Sequence, residues 1–314
     1  MRVTQNMMSN NMLRNMQQNL RSMEKIQHQM ASGKKMRRPA DDPANLVNAL
    51  RNRTQRTEID KYKGNVGDGL TWMENIDAAL GETGNVMHRV REITVRGAND
   101  TYSETDFKAM ADEIRQLRDH LVQVANTKVG DRHIFAGTDT LNSPAVINGD
   151  GAVEWEGNSK DIEFEIGQGV KVPINVDGGN VFGIRDNDEA SATYGEVTED
   201  IFGLLDELAD KLSKEDFDPD IDQKAVSEYL GEIDKFMDNI LTTRADVGAR
   251  VNRLDHTQSW LTDLNINLTD LSSKMEDVDM AEAITHFTNF ENVYRASLAT
   301  GARTIQPTLV DFLR

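Results

Sequence analysis

The chain of 314 residues has no cysteine, which excludes disulfides, thiolate metal sites and cysteine nucleophiles. Aromatic residues make up only 6% of it, and there are six prolines. A core rich in rings is therefore not available, whereas the abundance of Leu, Met, Ala, Asn, Gln, Glu and Arg suits long helices. No apolar run approaches the roughly 18 residues that a membrane-spanning helix requires, so no membrane insertion is expected. Residues 1–30 scatter Met and Leu among Asn and Gln with no continuous apolar stretch, so a cleaved secretory signal is not expected either. Cationic residues are outnumbered, and the net charge is −18. Phosphate binding needs a cationic footprint, so nucleic acid is not the expected partner.

The positive charge that exists gathers early: Arg2, Arg14, Arg21, Lys25, Lys34, Lys35, Arg37 and Arg38 precede the first aspartates, Asp41 and Asp42. Residues 139–240 are acidic, with clusters at Asp186–Glu189 and Asp216–Asp222. Two readings stand: complementary packing between subunits, or a solvated acidic surface.

Periodicity organises the rest. Leu13, Met16, Leu20, Met23 and Met30 follow a heptad seam with Gln27 at the skipped position, and Met12 and Ile26 widen it. A helix over residues 3–32 would be roughly 45 Å long. Gly33 stops it, and Pro39 and Pro43 prevent simple continuation. A second helical region starts after Pro43 and runs toward Tyr62. A third carries Leu70, Met73, Ile76, Leu80, Val86, Val90 and Ile93 and fades at Gly97. Ser103 and Asp106 form a weak capping-box signal before Phe107, Met110, Ile114, Leu117, Leu121 and Val124, whose spacing alternates between three and four. Residues 138–190 change character: 152–156, 162–166 and 171–176 alternate between apolar and polar, among Gly, Asn and Asp, as strands do. Helices return with Ile201, Leu205, Leu208 and Leu212, then Val226, Ile233 and Leu241. Leu261, Leu264, Leu268, Leu271, Met275 and Val278 form a last seam, and Ile284, Phe287, Tyr294 and Leu298 continue the stripe to Gly301. A seam needs a partner, and the nearest candidate for the N-terminal one is the C-terminal one, antiparallel or side by side.

Motifs for chemistry are absent. The six histidines show no ligand spacing, so no metal is expected. Asp218, Asp220 and Asp222 open like a calcium loop, but Gln223 stands where glycine is needed and Tyr229 where the bidentate glutamate is needed. They read as an acidic loop linking helices. Gly167-Gln168-Gly169 lies between strands and reads as a hairpin turn, not a phosphate cradle. The run Lys34–Arg38 reads as a loop that makes ion pairs near Asp41 and Asp42, or between subunits. No catalytic residue and no cofactor is assigned.

Several segments in order resemble one family. The first helix with Gly33-Lys34 and Pro39-Ala40-Asp41-Asp42-Pro43 resembles the N-terminal signature of flagellins and hook-associated proteins. Leu80-Gly81-Glu82 through Val90–Asn99, Glu276–Ala283, and the closing Leu309-Val310-Asp311-Phe312-Leu313-Arg314 are similar to other parts of the same family. Within it, Pro-Ala-Asp-Asp-Pro, Ile134-Phe135-Ala136-Gly137 and the last four residues are more similar to the members that join hook to filament than to filament flagellins.

The resemblance implies a mainly α fold built from both chain ends with a small inserted β domain. It implies five segments: residues 1–45 and 276–314 as a terminal coiled-coil layer, 46–137 and 193–275 as a helical rod domain, and 138–192 as the β insert. It further implies export by the flagellar apparatus without a cleaved signal, location in the extracellular flagellum, self-association, flagellar subunits as partners (another hook-associated protein and flagellin), and an export chaperone. The expected assembly interface is Leu13, Met16, Leu20, Met23, Asp41, Asp42, Leu264, Leu268, Leu271, Phe287, Leu309 and Phe312. A filament flagellin with a small insert is the alternative, and an enzyme or a secreted helical effector are remote ones.

Overall fold

The computed structural model describes residues 2–36, 42–98, 103–149, 151–185, 197–213 and 219–305. The elements in order are α1 (Arg2–Ser32), α2 (Pro43–Gly97), α3 (Glu104–Ala125), β1 (Lys128–Val129), β2 (Arg132–His133), β3 (Ala145–Ile147), β4 (Val153–Trp155), β5 (Glu163–Gly167), β6 (Val170–Pro173), α4 (Gly178–Val181), β7 (Gly183–Arg185), β8 (Val197–Asp200), α5 (Ile201–Leu212), α6 (Pro219–Glu276) and α7 (Met280–Ile305). The fold is mainly α with a small β region, as expected. The chain forms two compact units, Met1–Glu58 with Asp263–Arg314, and Ile59–Thr262.

In the second unit α2 and α6 run antiparallel. Arg91 pairs with Asp234 at 2.7 Å and Arg244 with Asp77 at 2.8 Å, so rising numbers on one helix meet falling numbers on the other. Ile59, Val66, Met73, Leu80 and Met87 recur every seventh residue and are buried. So are Val226, Ile233, Ile240, Val247, Leu254 and Leu261 on α6. A strict seven-residue period is the signature of knobs-into-holes pairing, and each such side chain contributes roughly 1.5–3 kcal/mol on burial. Thr83 and Thr94 also lie in this seam. Their hydroxyls donate to the carbonyls of Ala79 and Val90, at 2.9 and 2.8 Å, which satisfies them without leaving the helix.

This seam explains two departures from the sequence reading. The second and third helical regions are one helix, α2, which passes through Gly64, Gly67 and Gly69. The apolar period runs unbroken across these glycines, and packing outweighs their propensity cost of about 1 kcal/mol each. Gly69 also suits a close approach: a Cβ there would lie 3.2 Å from Ile174 and 3.6 Å from Leu254, a tight but not forbidden fit. Likewise the helix through Val226 and the seam through Leu261 are one helix, α6, which begins at Pro219. Asp220 and Asp222 therefore belong to a helix and not to a loop; proline at a first helical position starts α6 there.

On α3, Phe107, Ile114, Leu121 and Val124 are buried, as the spacing predicts. The capping box forms, with the Ser103 amide donating to Asp106 Oδ2 at 3.0 Å; the Asp106 amide also donates to the Ser103 backbone carbonyl at 2.9 Å. The Ser103 hydroxyl, which donates to Asp106 Oδ2 at 2.6 Å, and then the Ser103 amide hold the Asp106 carboxyl below its ordinary pKa.

The strands form four separate antiparallel pairs among the described residues: β1–β2, β3–β4, β5–β6 and β7–β8. β4, β5 and β6 fall on the alternating runs, and the turn before Val170 holds Gly169 at φ +71. Strands of two or three residues outside those runs, such as β1 and β2, are too short to show period two. The β region is held by rings: Phe182 stacks on Trp155 at 5.5 Å and on Phe202 at 5.8 Å, and meets Phe135 edge-on at 5.2 Å. Gly178 lets this cluster close, since a Cβ would fall 2.3 Å from Trp155.

Candidate assembly interface

The first unit is built around α1 and α7, which pack against each other. The Val278 amide donates to the Gly33 carbonyl at 2.9 Å, so the end of α1 meets the start of α7. A Cβ on Gly301 would lie 2.5 Å from Met12 Cε, so the far end of α7 meets the early part of α1. The pair is antiparallel.

Among the half-buried positions on α1, Ser9, Met12, Met16, Asn19, Met23, Ile26 and Met30 form a 3-4 alternation, and Ser22 and Gln29 adjoin it. On α7, Ala283 and Gly301 are buried, and Phe287, Phe290, Tyr294 and Ser297 between them are half-buried. These two heptad stripes form the inner seam.

Leu13 and Leu20 follow Met12 and Asn19 by one residue and flank that seam. They are 46% and 38% exposed, and their counterparts on α7, Ile284 and Leu298, are 50% and 45% exposed. In an antiparallel pair, positions that flank the seam on the same side of each helix face one another. Leu13 and Leu298 do so, lining one groove with Met12, Met16 and Gly301. The pair therefore covers one apolar stripe and leaves a second one in water.

The turns at the base of the pair are fastened together. Gly33 adopts φ +69, a left-handed conformation that suits glycine at a helix end. Lys34 pairs with Asp277 through an isolated antiparallel bridge, and its ammonium reaches Asp277 Oδ1 at 2.6 Å. The Lys35 amide donates to the Glu276 carbonyl at 2.6 Å. Glu276 is buried. Its carboxylate accepts two bonds from Arg53, at 2.8 and 2.6 Å, and lies 3.4 Å from the Lys34 ammonium. The Arg53 guanidinium holds the Glu276 carboxyl below the usual range despite its burial, and Lys34 does the same for Asp277. The sequence reading gave the Lys34–Arg38 run ion pairs near Asp41 and Asp42 or between subunits; for Lys34 the partners lie elsewhere in the same chain. They are Glu276 and Asp277, because the antiparallel pair returns the chain to this point.

Residues 3–140 match the family model for the bacterial flagellin N-terminal helical region, and residues 230–313 match that for the bacterial flagellin C-terminal helical region. The chain belongs to the bacterial flagellin family. It is 28% identical to the flagellin of Bacillus subtilis, over 98% of this chain and 97% of that protein. It is also 24% identical to flagellar hook-associated protein 3 of Escherichia coli, over 90% of this chain and 92% of that protein. The crystal structure of hook-associated protein 3 from Legionella pneumophila superposes with a TM-score of 0.63 at 18% identity, across 72% of this chain and 98% of that one, and so shares the fold.

In this flagellin-family chain the seam residues named from sequence divide into groups. Met16, Met23 and Phe287 are half-buried inside the α1–α7 pair, whereas Leu13 and Leu20 flank it. Leu264 and Leu268 are half-buried on α6, and Leu271 is exposed. Asp42 caps α2, accepting the Asn45 amide at 3.1 Å. Asp41, Leu309 and Phe312 lie outside the described residues. The sequence reading missed Phe290 and the Arg53–Glu276 pair; Phe290 was visible as the heptad partner of Phe287. Among the described residues no group of His, Asp and Glu is arranged to hold a metal ion, and no helix is long and apolar enough to cross a membrane.

Proposed function

We propose that this chain is a structural, non-enzymatic subunit of the bacterial flagellum that joins a hook-associated layer to the flagellin filament. The observation that carries this reading is the uncovered stripe of Leu13, Leu20, Ile284 and Leu298 beside a seam that is already filled. Leaving that surface in water forgoes about 25 cal/mol for every Å² that a neighbour would cover. The occupant is a copy of this chain or a related flagellar subunit, whose terminal helices carry the same periodicity.

Leu264, Leu268 and Leu271, together with the terminal residues Leu309 and Phe312, also take part in assembly. Residues 1–45 and 276–314 supply the terminal layer, 46–137 and 193–275 the helical body, and 138–192 the β insert. Export proceeds without a cleaved signal and with a chaperone. The similarity to hook-associated protein 3 across nine-tenths of both chains supports the junction role. The similarity to Bacillus subtilis flagellin supports the second reading, a filament subunit.

Electron microscopy of a deletion strain tests the proposal. Hooks without filaments, with flagellin shed into the medium, are expected. Filaments of ordinary length on that strain would overturn the junction role. Long filaments grown from the purified protein on flagellar seeds would establish the filament reading in its place.

A further inference from the structure

With 14 methionines and no cysteine, the chain carries its only oxidisable sulfur as thioethers, and six of them lie in α1. Met7 and Met8 are more than 60% exposed. Met12, Met16, Met23 and Met30 occupy four of the seven inner-seam positions of α1. Met12 and Met16 also line the groove of about 250 Å³ that opens between α1 and α7. The tip of Met12 fills the space above Gly301, where a Cβ would stand 2.5 Å from its Cε and 3.2 Å from its Sδ. These two sulfurs are therefore part of the packing and within reach of small molecules from the groove.

We propose that Met12 and Met16 are an oxidant-sensitive release site for the α1–α7 pair, with hydrogen peroxide or another two-electron oxygen donor as the reagent. The sulfur lone pair attacks one peroxide oxygen. An S–O bond forms as the O–O bond breaks, sulfur gives up two electrons, and the proton of the transferred hydroxyl passes to the departing hydroxide to give water. The product is a sulfoxide, a polar group in place of an apolar one. Leu13 and Leu298 offer it no hydrogen bond, the Ser297 hydroxyl already donates to the Val293 carbonyl at 2.8 Å, and Ser9 is the remaining hydroxyl along the groove. An S=O group turned into the seam loses its hydration, and one turned toward the groove swings the methyl tip of Met12 off Gly301, so either orientation opposes the packed state. The outer end of the pair then separates. This inference concerns the isolated chain and does not depend on the junction role.

The test combines a peroxide titration of the full chain with mass spectrometry of each methionine and deuterium uptake of residues 9–30 and 283–302. Oxidation at Met7 and Met8 is expected to leave uptake unchanged. Oxidation at Met12 and Met16 is expected to raise it. The double variant M12L/M16L keeps similar volume without an oxidisable sulfur, and it should stay protected at the same dose. Treating the oxidised wild-type chain with both sulfoxide reductases should restore protection, which covers the case of a double variant that pairs poorly. The proposal is overturned by unchanged uptake once both sulfurs are oxidised, or by failure of the reductases to restore protection. It is also overturned by an untreated chain whose α1 amides exchange as a free peptide does, since there would then be no pairing to release.

Discussion

Lys34 and Asp277 stand 243 positions apart in the chain, yet they share a backbone bridge and a 2.6 Å ion pair. The two breaks in the helical chain, one after α1 and one before α7, thus lie against each other. Each supplies hydrogen bonds that the other's helix end lacks.

Gly33 permits the tight exit from α1. Its surroundings are empty, so the cost of adding a side chain is conformational only. Gly33→Ala should destabilise the first unit by about 1–2 kcal/mol, the cost of forcing an L-residue into the left-handed region. An unchanged urea midpoint would show that the turn is not held in this conformation.

The fit of Met12 over Gly301 predicts a coupled pair. Gly301→Val should weaken the α1–α7 seam by about 1 kcal/mol, because the far end of Met12 must swing aside. Adding Met12→Ala should relieve most of that loss, because the two sites share one space. Additive losses in chemical denaturation would mean that the two residues do not meet.

Leu20 and Phe287 separate assembly from folding. Leu20→Asp lies on the uncovered stripe, so the unfolding free energy of the single chain should fall by only about 1 kcal/mol, mostly through helix propensity. Incorporation into the flagellum should nevertheless be lost. Phe287→Asp puts a charge into the inner seam and should impair both. A Leu20→Asp chain that still assembles would remove the stripe from the interface.

Glu276 predicts a pH dependence. Arg53 holds its folded-state pKa below the ordinary value of 4.5, so the stabilisation is fully present above that value and fades as pH falls through the lower folded-state value. Glu276→Gln keeps the shape but loses the charge. At neutral pH it should cost about 1–3 kcal/mol, in line with lost hydrogen bonds between charged groups. Its penalty should shrink in acid, where the wild-type carboxyl is itself neutral. Denaturation curves at pH 7 and below pH 4 distinguish this from a purely steric effect, for which the penalty would be the same at both.

His133 titrates from a different cause. It is buried, and its Nδ1 lies 3.0 Å from the Asn126 carbonyl oxygen. Burial lowers its pKa below 6.5, so the unfolded chain takes up the proton first and stability should fall as pH drops below that value. A His133→Gln variant should lose this slope; retention of the full slope would assign it to other groups.

Much of the fold was legible in advance. The apolar spacing of α3 and its capping aspartate read correctly because both are local. The alternating runs of β4, β5 and β6 also read correctly, since period two needs only a few consecutive residues. The glycines at 64, 67 and 69 misled for the opposite reason. Local propensity marks them as breaks, and only the opposing face of α6 shows why the helix continues.

The same division governs the interface. By itself the sequence determined that α1 is a helix with an apolar stripe and that α7 could cover it. It did not determine which stripe is covered. Two overlapping sets, one through Met12, Asn19 and Ile26 and one through Leu13, Leu20 and Gln27, share Met16, Met23 and Met30 and differ by one residue of rotation. Tertiary structure chose the first, because Gly301 on α7 leaves room for Met12 and the Lys34–Asp277 bridge fixes how the helices are aligned. Rotation about a helix axis costs almost nothing until a second surface arrives, so only the partner helix could decide that Leu13 and Leu20 would be left for another molecule.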